Sequence, residues 1–219
     1  MKKLLLGAIV ALGLTTFIAT SYAANDGDGW TPIQFSTWYG VNNWPDSYNV
    51  NGLKLGLLTW NDSGSNQQVN GLELAFVSMS RNVNGVQLTG MALMNYGGSG
   101  LQLAPFINFG DGYTGLQISG MNWFSKSSGV QLGVLNAADA NCNAYQFSVV
   151  NVNTINGEGA QVGIINSGSN FDGFQLGVLN IVDDLNVPGR EASKALQIGL
   201  FNYMPNGFIP FMILFNFSL

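Results

Sequence analysis

A chain of 219 residues without a single histidine has few groups that could do chemistry. Ser-His-Asp triads and His-ligated metal centres are excluded, since each needs an imidazole. The one cysteine, Cys142, sits in the polar stretch Ala140-Asn141-Cys142-Asn143 with no base beside it. A lone thiol cannot close an internal disulfide, and this one reads as a small residue in a turn before it reads as a reactive group. Paired carboxylates can hydrolyse glycosides, but Asp183 and Asp184 are adjacent, and neighbours in an extended chain face apart. Asp26-Gly27-Asp28-Gly29 opens like a calcium loop and lacks the later ligands. Gly-rich turns recur without the Lys-Ser/Thr of a phosphate loop. The expectation is a protein that is not an enzyme, with no cofactor and no metal. A carbohydrate-active enzyme is kept as an alternative.

The residues that do recur are amides. Gly129-Val-Gln-Leu-Gly-Val-Leu-Asn136, Gly159-Ala-Gln-Val-Gly-Ile-Ile-Asn166 and Gly173-Phe-Gln-Leu-Gly-Val-Leu-Asn180 are copies of one motif, with weaker copies from Gly52, Gly71, Gly85, Gly100, Gly115, Ala144 and Ala195. From Gly71 to Gly173 the starts are spaced 14, 15, 15, 14, 15, 15 and 14. The motif reads Gly–apolar–Gln–apolar–small–apolar–apolar–Asn, followed by six or seven polar, Gly-rich residues. Its first half alternates with the period of a strand. Apolar positions 2 and 4 (Leu116 and Ile118, Val130 and Leu132, Phe174 and Leu176) point one way. Gln117, Gln131, Gln146, Gln161 and Gln175 point the other. Asn at position 8, as in Asn136, Asn151, Asn166 and Asn180, suits a corner, because Asn tolerates left-handed backbone. Gly at position 1 suits the next one.

Copies of one polarity and nearly one length are made equivalent by a β-solenoid of about eleven 14–15-residue coils, each stacked about 4.8 Å on the last. On this reading positions 2 and 4 form internal apolar columns. Gln and Asn form exposed hydrogen-bonded ladders, each amide donating to one neighbour and accepting from the other. Amide ladders also account for the scarcity of charge, 9% of residues against roughly 25% in ordinary domains, because a stacked column of Lys or Glu repels itself. The alternative is an outer-membrane β-barrel of about 12 strands. It is suggested by the alternating end Phe211, Ile213, Phe215, Phe217, Leu219 and by a repeat long enough for a membrane strand plus a turn. Against it, odd and even units are alike, whereas barrel strands alternate direction between short turns and long loops.

The units between are flanked by three other segments. Residues 1–23 read as a signal peptide: Lys2 and Lys3, an apolar run from Leu4 to Ile18, then Ser21-Tyr22-Ala23 as a cleavage site. Residues 24–51, rich in aromatics and carrying Pro32 and Pro45, read as an N-terminal cap. The repeat domain spans 52–206, and 207–219 reads as a C-terminal capping strand. The unit from Gly173 is long and charged, and Asp183, Asp184, Arg190, Glu191 and Lys194 form a candidate partner-binding loop. Without Lys2 and Lys3 the formal charge moves from −5 to −7, which argues against nucleic acid and against anionic lipid.

The repeat and its two flanking blocks together resemble the bacterial surface repeat-containing proteins of spirochaetes and other diderm bacteria. The resemblance runs through Pro32-Ile-Gln-Phe-Ser, Val50-Asn-Gly-Leu-Lys-Leu-Gly-Leu-Leu58, the Gly-Val-Gln-Leu-Gly-Val-Leu-Asn copies and Phe208-Ile-Pro-Phe-Met-Ile-Leu-Phe-Asn-Phe-Ser-Leu219. It covers nearly the whole chain after the leader and is blurred at Met91–Asn95 and Pro105–Asn108. It implies export to the cell surface or outer membrane, with the periplasm also open, and it carries no reaction. The expected role is structural or interactive. The partner would be an envelope component, a carbohydrate or a host surface, with outer-membrane association and a small pore as the barrel alternative.

Overall fold

The computed structural model describes residues 29–38, 41–44, 47–60, 66–184 and 192–218. The expected leader therefore lies outside the described residues, as do Pro45, Asp26–Asp28, Arg190 and Glu191.

The chain winds as a β-solenoid of about ten turns. β1 (Trp30–Trp38) pairs with β2 (Val41–Asn42) and lies parallel to β3 (Asn49–Trp60), which lies parallel to the start of β4 (Gln68–Leu132). β4 is one uninterrupted extended run that passes the motif glycine at Gly71, Gly85, Gly100, Gly115 and Gly129. Beyond it the two sides of each coil separate into distinct strands: β5 (Leu135–Ala138), β6 (Asn141–Phe147), β7 (Val150–Asn153), β8 (Asn156–Val162), β9 (Ile165–Ser169), then the longer β10 (Phe171–Asp183) and β11 (Ala195–Tyr203). The register is one coil per repeat: Gln131 lies on Gln146, Gln146 on Gln161, Gln161 on Gln175 and Gln175 on Gln197. β10 pairs with β8 along its first half and β9 along its second, the signature of a coil stacked on a coil. Parallel pairing of coil on coil from β3 through β11 rules out the barrel, whose neighbouring strands run antiparallel. At about 4.8 Å per coil the turns make a rod about 48 Å long.

The two ends of the stack depart from the regular coil. β1 is a stacked strand, with Gln34 over Lys54, although it contains Pro32. The register shifts between Thr31 and Ile33, so the residue without an N–H falls at an irregularity and no ladder bond is demanded of it. The final unit is not an eleventh coil. β12 (Phe211–Phe217) turns back and pairs antiparallel with β11, covering the last open edge.

The larger correction concerns which side of the strand is inside. Positions 2 and 4 do not form internal columns; they face outward, and Phe147, Leu176 and Ile198 are all about 42% exposed. Gln and Asn are inside: Gln131, Gln146, Gln161, Asn136, Asn151 and Asn166 are fully buried. The alternation was legible, but not its sense. A coil this small has room for a single layer of inward side chains. Amides that bond along the axis fill it with each group matched to the next coil.

The chain reverses phase at the apolar pair. Position 5 points in, positions 6 and 7 both point out at the corner, and Asn at position 8 points in again. The Asn residues are thus not left-handed corners: among the described residues only Asn170 and Leu214 combine a side chain with positive φ. The motif glycines do meet expectation, with φ between +114° and +154°. A Cβ on Gly71, Gly85, Gly100, Gly115, Gly129 or Gly173 would lie under 3.0 Å from the carbonyl oxygen of the glycine one coil earlier. A third inward column, on the turn side, is apolar: Val50, Val69 and Val83 form one cluster, Ala138, Cys142 and Ala144 another, and Phe171, Val182, Ala195 and Met204 a third.

Gly115→Ala should therefore lower stability by about 2 kcal/mol or more, from positive-φ strain plus the clash with Gly100. Gly112→Ala, whose Cβ meets nothing within 4 Å, should be nearly neutral. Urea unfolding of the two variants measures the difference, and equal midpoints would contradict the stacked-glycine geometry.

Candidate functional site

The interior is organised by two amide ladders. In the first, each Gln donates from Nε2 to Oε1 of the Gln one coil earlier: Gln102 to Gln87, Gln117 to Gln102, Gln131 to Gln117, Gln146 to Gln131, Gln161 to Gln146, Gln175 to Gln161 and Gln197 to Gln175, at 2.7–3.0 Å. In the second, each Asn donates from Nδ2 to Oδ1 of the Asn one coil later: Asn108 to Asn122, then Asn136, Asn151, Asn166, Asn180 and Asn202, at 2.8–3.1 Å. The second amide hydrogen goes to main chain, as from Asn166 to the Leu176 carbonyl (2.9 Å) and from Gln175 to that of Ile181 (3.2 Å). The ladders thus run with opposite donor directions, and their dipoles oppose one another. Each ends on an acceptor with no hydrogen-bond partner among the described groups: Gln197 Oε1 at the C-terminal end of one, Asn108 Oδ1 at the N-terminal end of the other.

The donor end of the Gln ladder lands on a charge. Gln87 Nε2 donates to Glu73 Oε2 at 2.9 Å, while Glu73 Oε1 accepts from Thr59, Ser78 and Ser80 at 2.6, 2.9 and 2.6 Å. Lys54 is the register partner of Glu73 and donates from Nζ to Gln67 Oε1 (2.9 Å) and Ser80 Oγ (3.2 Å). Gln67 in turn donates to Gln34 Oε1 at 3.0 Å. Burial alone would push the Glu73 carboxyl up; the Lys54 ammonium and the hydrogen bonds from Ser80, Thr59 and Gln87 outweigh it and hold the carboxyl below its ordinary value. Lys54 and Glu73 were not singled out from the sequence. The signal for them is that they occupy the Gln position of the motif in Gly52-Leu-Lys-Leu and Gly71-Leu-Glu-Leu. A Lys, a Ser and a Glu in contact suggest nucleophilic chemistry, but Lys54 and Glu73 are at most 1% exposed and Ser80 is 1%, so no substrate reaches them. Their chemistry is to terminate the ladder.

The other sequence candidates are scattered. Asp183 is exposed at the end of β10, and Asp184 is tied down, accepting from the Ser193 N–H at 3.1 Å and from the side chains of Ser193 and Asn206. Lys194 is exposed, and its N–H donates to Asp172 at 2.7 Å. Arg190 and Glu191 lie outside the described residues. The ladder residues Gln117, Gln131, Gln146, Gln161, Gln175, Asn136, Asn151, Asn166 and Asn180 are brought together as expected, but in the interior, where no partner touches them. Cys142 is buried, and burial pushes its thiol up to about 12, which keeps it protonated and unreactive.

What faces outward is apolar. An open groove of about 630 Å³ has Gly133, Ser148, Gly163 and Gly177 along its floor and Val149, Val162, Ile164, Leu176 and Val178 as walls. A second cleft, of about 270 Å³, lies between Trp60, Met79, Met94 and Phe109, with Tyr96 and Asp111 at its polar rim. No protein-family model, curated protein or solved structure matches the chain.

Two substitutions test this site. Gln146→Leu removes the donor to Gln131 and the acceptor of Gln161, and should cost about 1–3 kcal/mol. Phe147→Ser, at the adjoining outward position, should change stability by less than about 1 kcal/mol. The opposite order in urea unfolding would reverse the inside-out assignment. Glu73→Gln leaves the Lys54 ammonium uncompensated and should cost about 3–5 kcal/mol at neutral pH. Because the folded Glu73 carboxyl is lowered, its contribution is full above the ordinary carboxylate range and is lost as pH falls through the folded value. The gap between wild type and Glu73→Gln should therefore narrow in acid, and a pH-independent gap would exclude this role.

Proposed function

We propose that the chain is an exported, non-enzymatic envelope repeat protein with a structural or interaction role, as the resemblance to bacterial surface repeat-containing proteins implies. The observation that carries this reading is where the polar groups go. The recurring amides and the buried Lys54–Glu73 pair are used up by one another along the axis, while the outward columns repeat coil after coil as an extended surface. Such a rod is suited to holding or bridging something along its length. Its interaction surface is the apolar outer columns and not the Gln/Asn ladders, which are enclosed. The charged segment around Asp183, Asp184 and Lys194 is a secondary candidate for partner contact at one end of the repeat.

Export is tested by the N-terminus of the protein recovered from a diderm bacterium expressing the full chain. The expected result is a mature protein in the envelope fraction that begins at Ala24, after cleavage behind Ser21-Tyr22-Ala23. A cytoplasmic protein that retains Met1 through Ala23 would overturn the reading.

A further inference from the structure

The outward columns are ordered in a way that identifies what covers them. Across each coil the outward residues run from position 0 through 2, 4, 6, 7 and 9 to position 11; the coils from Gly85 and Gly100 hold one more residue at the corner, so their later positions are numbered one lower to match their neighbours. The two ends of this arc are polar. Position 0 carries Asn51, Asn70, Asn84, Glu158, Asp172 and Lys194; position 11 carries Arg81, Asp111, Asp139 and Asp183. The middle of the arc, positions 4, 6 and 7, holds Leu, Ile, Val, Phe and Met with a few Gly, Ala and Pro. Leu57, Phe76, Phe106, Val134 and Ile164 there are between 52% and 67% exposed. No charged side chain falls anywhere between positions 2 and 9 on the outside of the described coils.

The Trp and Tyr residues mark the borders. In the described repeats from Gly52 onward, those that reach the surface are Tyr145 at position 2, Trp60, Trp123 and Tyr203 at position 9, and Tyr96 at position 11. None stands in the central columns. Trp123 lays its ring on the apolar side and donates from Nε1 to Asp139 at 2.6 Å on the polar side.

The apolar arc is about 25 Å of contour by about 48 Å of rod, on the order of 1,000 Å². The largest apolar patch of an ordinary monomer is about 300–600 Å². It also bends round the corner between two strand faces. A second copy laid flat on one face would leave the other face in water, whereas a fluid covers both at once. In the strands the main-chain N–H and C=O groups pair with the coils before and after, so the sides of the rod can enter an apolar medium without unmatched backbone groups.

We infer that the rod lies in one face of a lipid bilayer, its central columns in the acyl layer, its Trp and Tyr borders at the headgroup level, and its charged turns in water. Such aromatic borders belong where an apolar body meets a wet edge. The turn side is net acidic among the described residues, with six carboxylates (Asp111, Asp139, Glu158, Asp172, Asp183, Asp184) against Arg81, Lys126 and Lys194. Binding therefore draws on apolar burial, favours zwitterionic lipid and is insensitive to salt. This inference rests on the proposed interaction role for the outer columns and names their occupant.

The test is flotation of the full chain with phosphatidylcholine vesicles, at low salt and at 1 M NaCl. Two double variants are compared with it: Ile164→Glu with Val178→Glu in the central columns, and Thr114→Glu with Asn143→Glu at the polar border. Residues 1–28 are the same in all three, so a difference reads the outer columns alone, and far-ultraviolet circular dichroism checks that each variant keeps its sheet. The wild type and the border variant should float at both salt concentrations, and the central variant should lose partitioning by more than about tenfold. Flotation that survives the central substitutions would overturn the inference. So would a detergent-free dimer that ignores vesicles, which would leave the interaction role standing with a second copy as the occupant. A monomer that binds neither vesicles nor itself would overturn both.

Discussion

The structure depends on one constraint: a primary amide taken out of water must have both its donor and its acceptor matched, or its burial costs more than the contact returns. Stacking identical amides at the coil spacing satisfies most of this, because each Gln or Asn uses the neighbour on one side as acceptor and the neighbour on the other as donor, and a main-chain carbonyl takes the second N–H, as at Asn166 and Gln175. The rest of the molecule follows. The coils must keep almost the same length, or the amides lose register. The glycines must stack with positive φ, because a Cβ there would strike the carbonyl of the coil before. An extra residue is absorbed at the outer corner in the coil from Gly100, where Gln102 and Asn108 stand six apart in place of five, and both ladders keep their register.

A ladder has a direction, and its ends are where the accounting fails to close by itself. The Gln ladder brings its N–H end to Glu73, and a carboxylate is the strongest acceptor available for that place. Lys54 then compensates the buried charge. The Asn ladder runs the other way and delivers its final N–H groups to the carbonyls of Gly199 and Met212, close to where β12 folds back. The departures from the repeat at its first coils are thus the termination of the Gln column, and they supply the only charged groups in the interior of the described coils.

Putting the amides inside forces the apolar residues out. In most solenoids of this kind one would look for a dry core and a wet exterior. Here many of the large apolar side chains are on the surface, outward-facing charge in the described coils is restricted to the turn side, and the amphipathic Trp and Tyr residues stand at the boundary between them. A rod of that construction is stable as a stack and unsatisfied as a surface, which is why its outer columns, and not its polar residues, carry the functional reading.

The sequence by itself determined the period, the strand alternation, the pairing of equivalent residues between coils and the glycine corners, because each follows from one residue at a time or from spacing. The amide ladders were legible down to the residues Gln117 to Gln175 and Asn136 to Asn180. Tertiary structure alone decided which face of the strand is enclosed. Alternation is symmetric, so Val130-Gln131-Leu132 reads equally well with either side inward, and hydropathy favours the wrong one. The choice falls to the width of the coil, which admits a single layer of side chains, and to the axial bonding of that layer, which no single coil can make. The same reason hid Lys54 and Glu73. In one dimension they are isolated charges in two weak repeats; stacked, they are the end of a column of bonded amides.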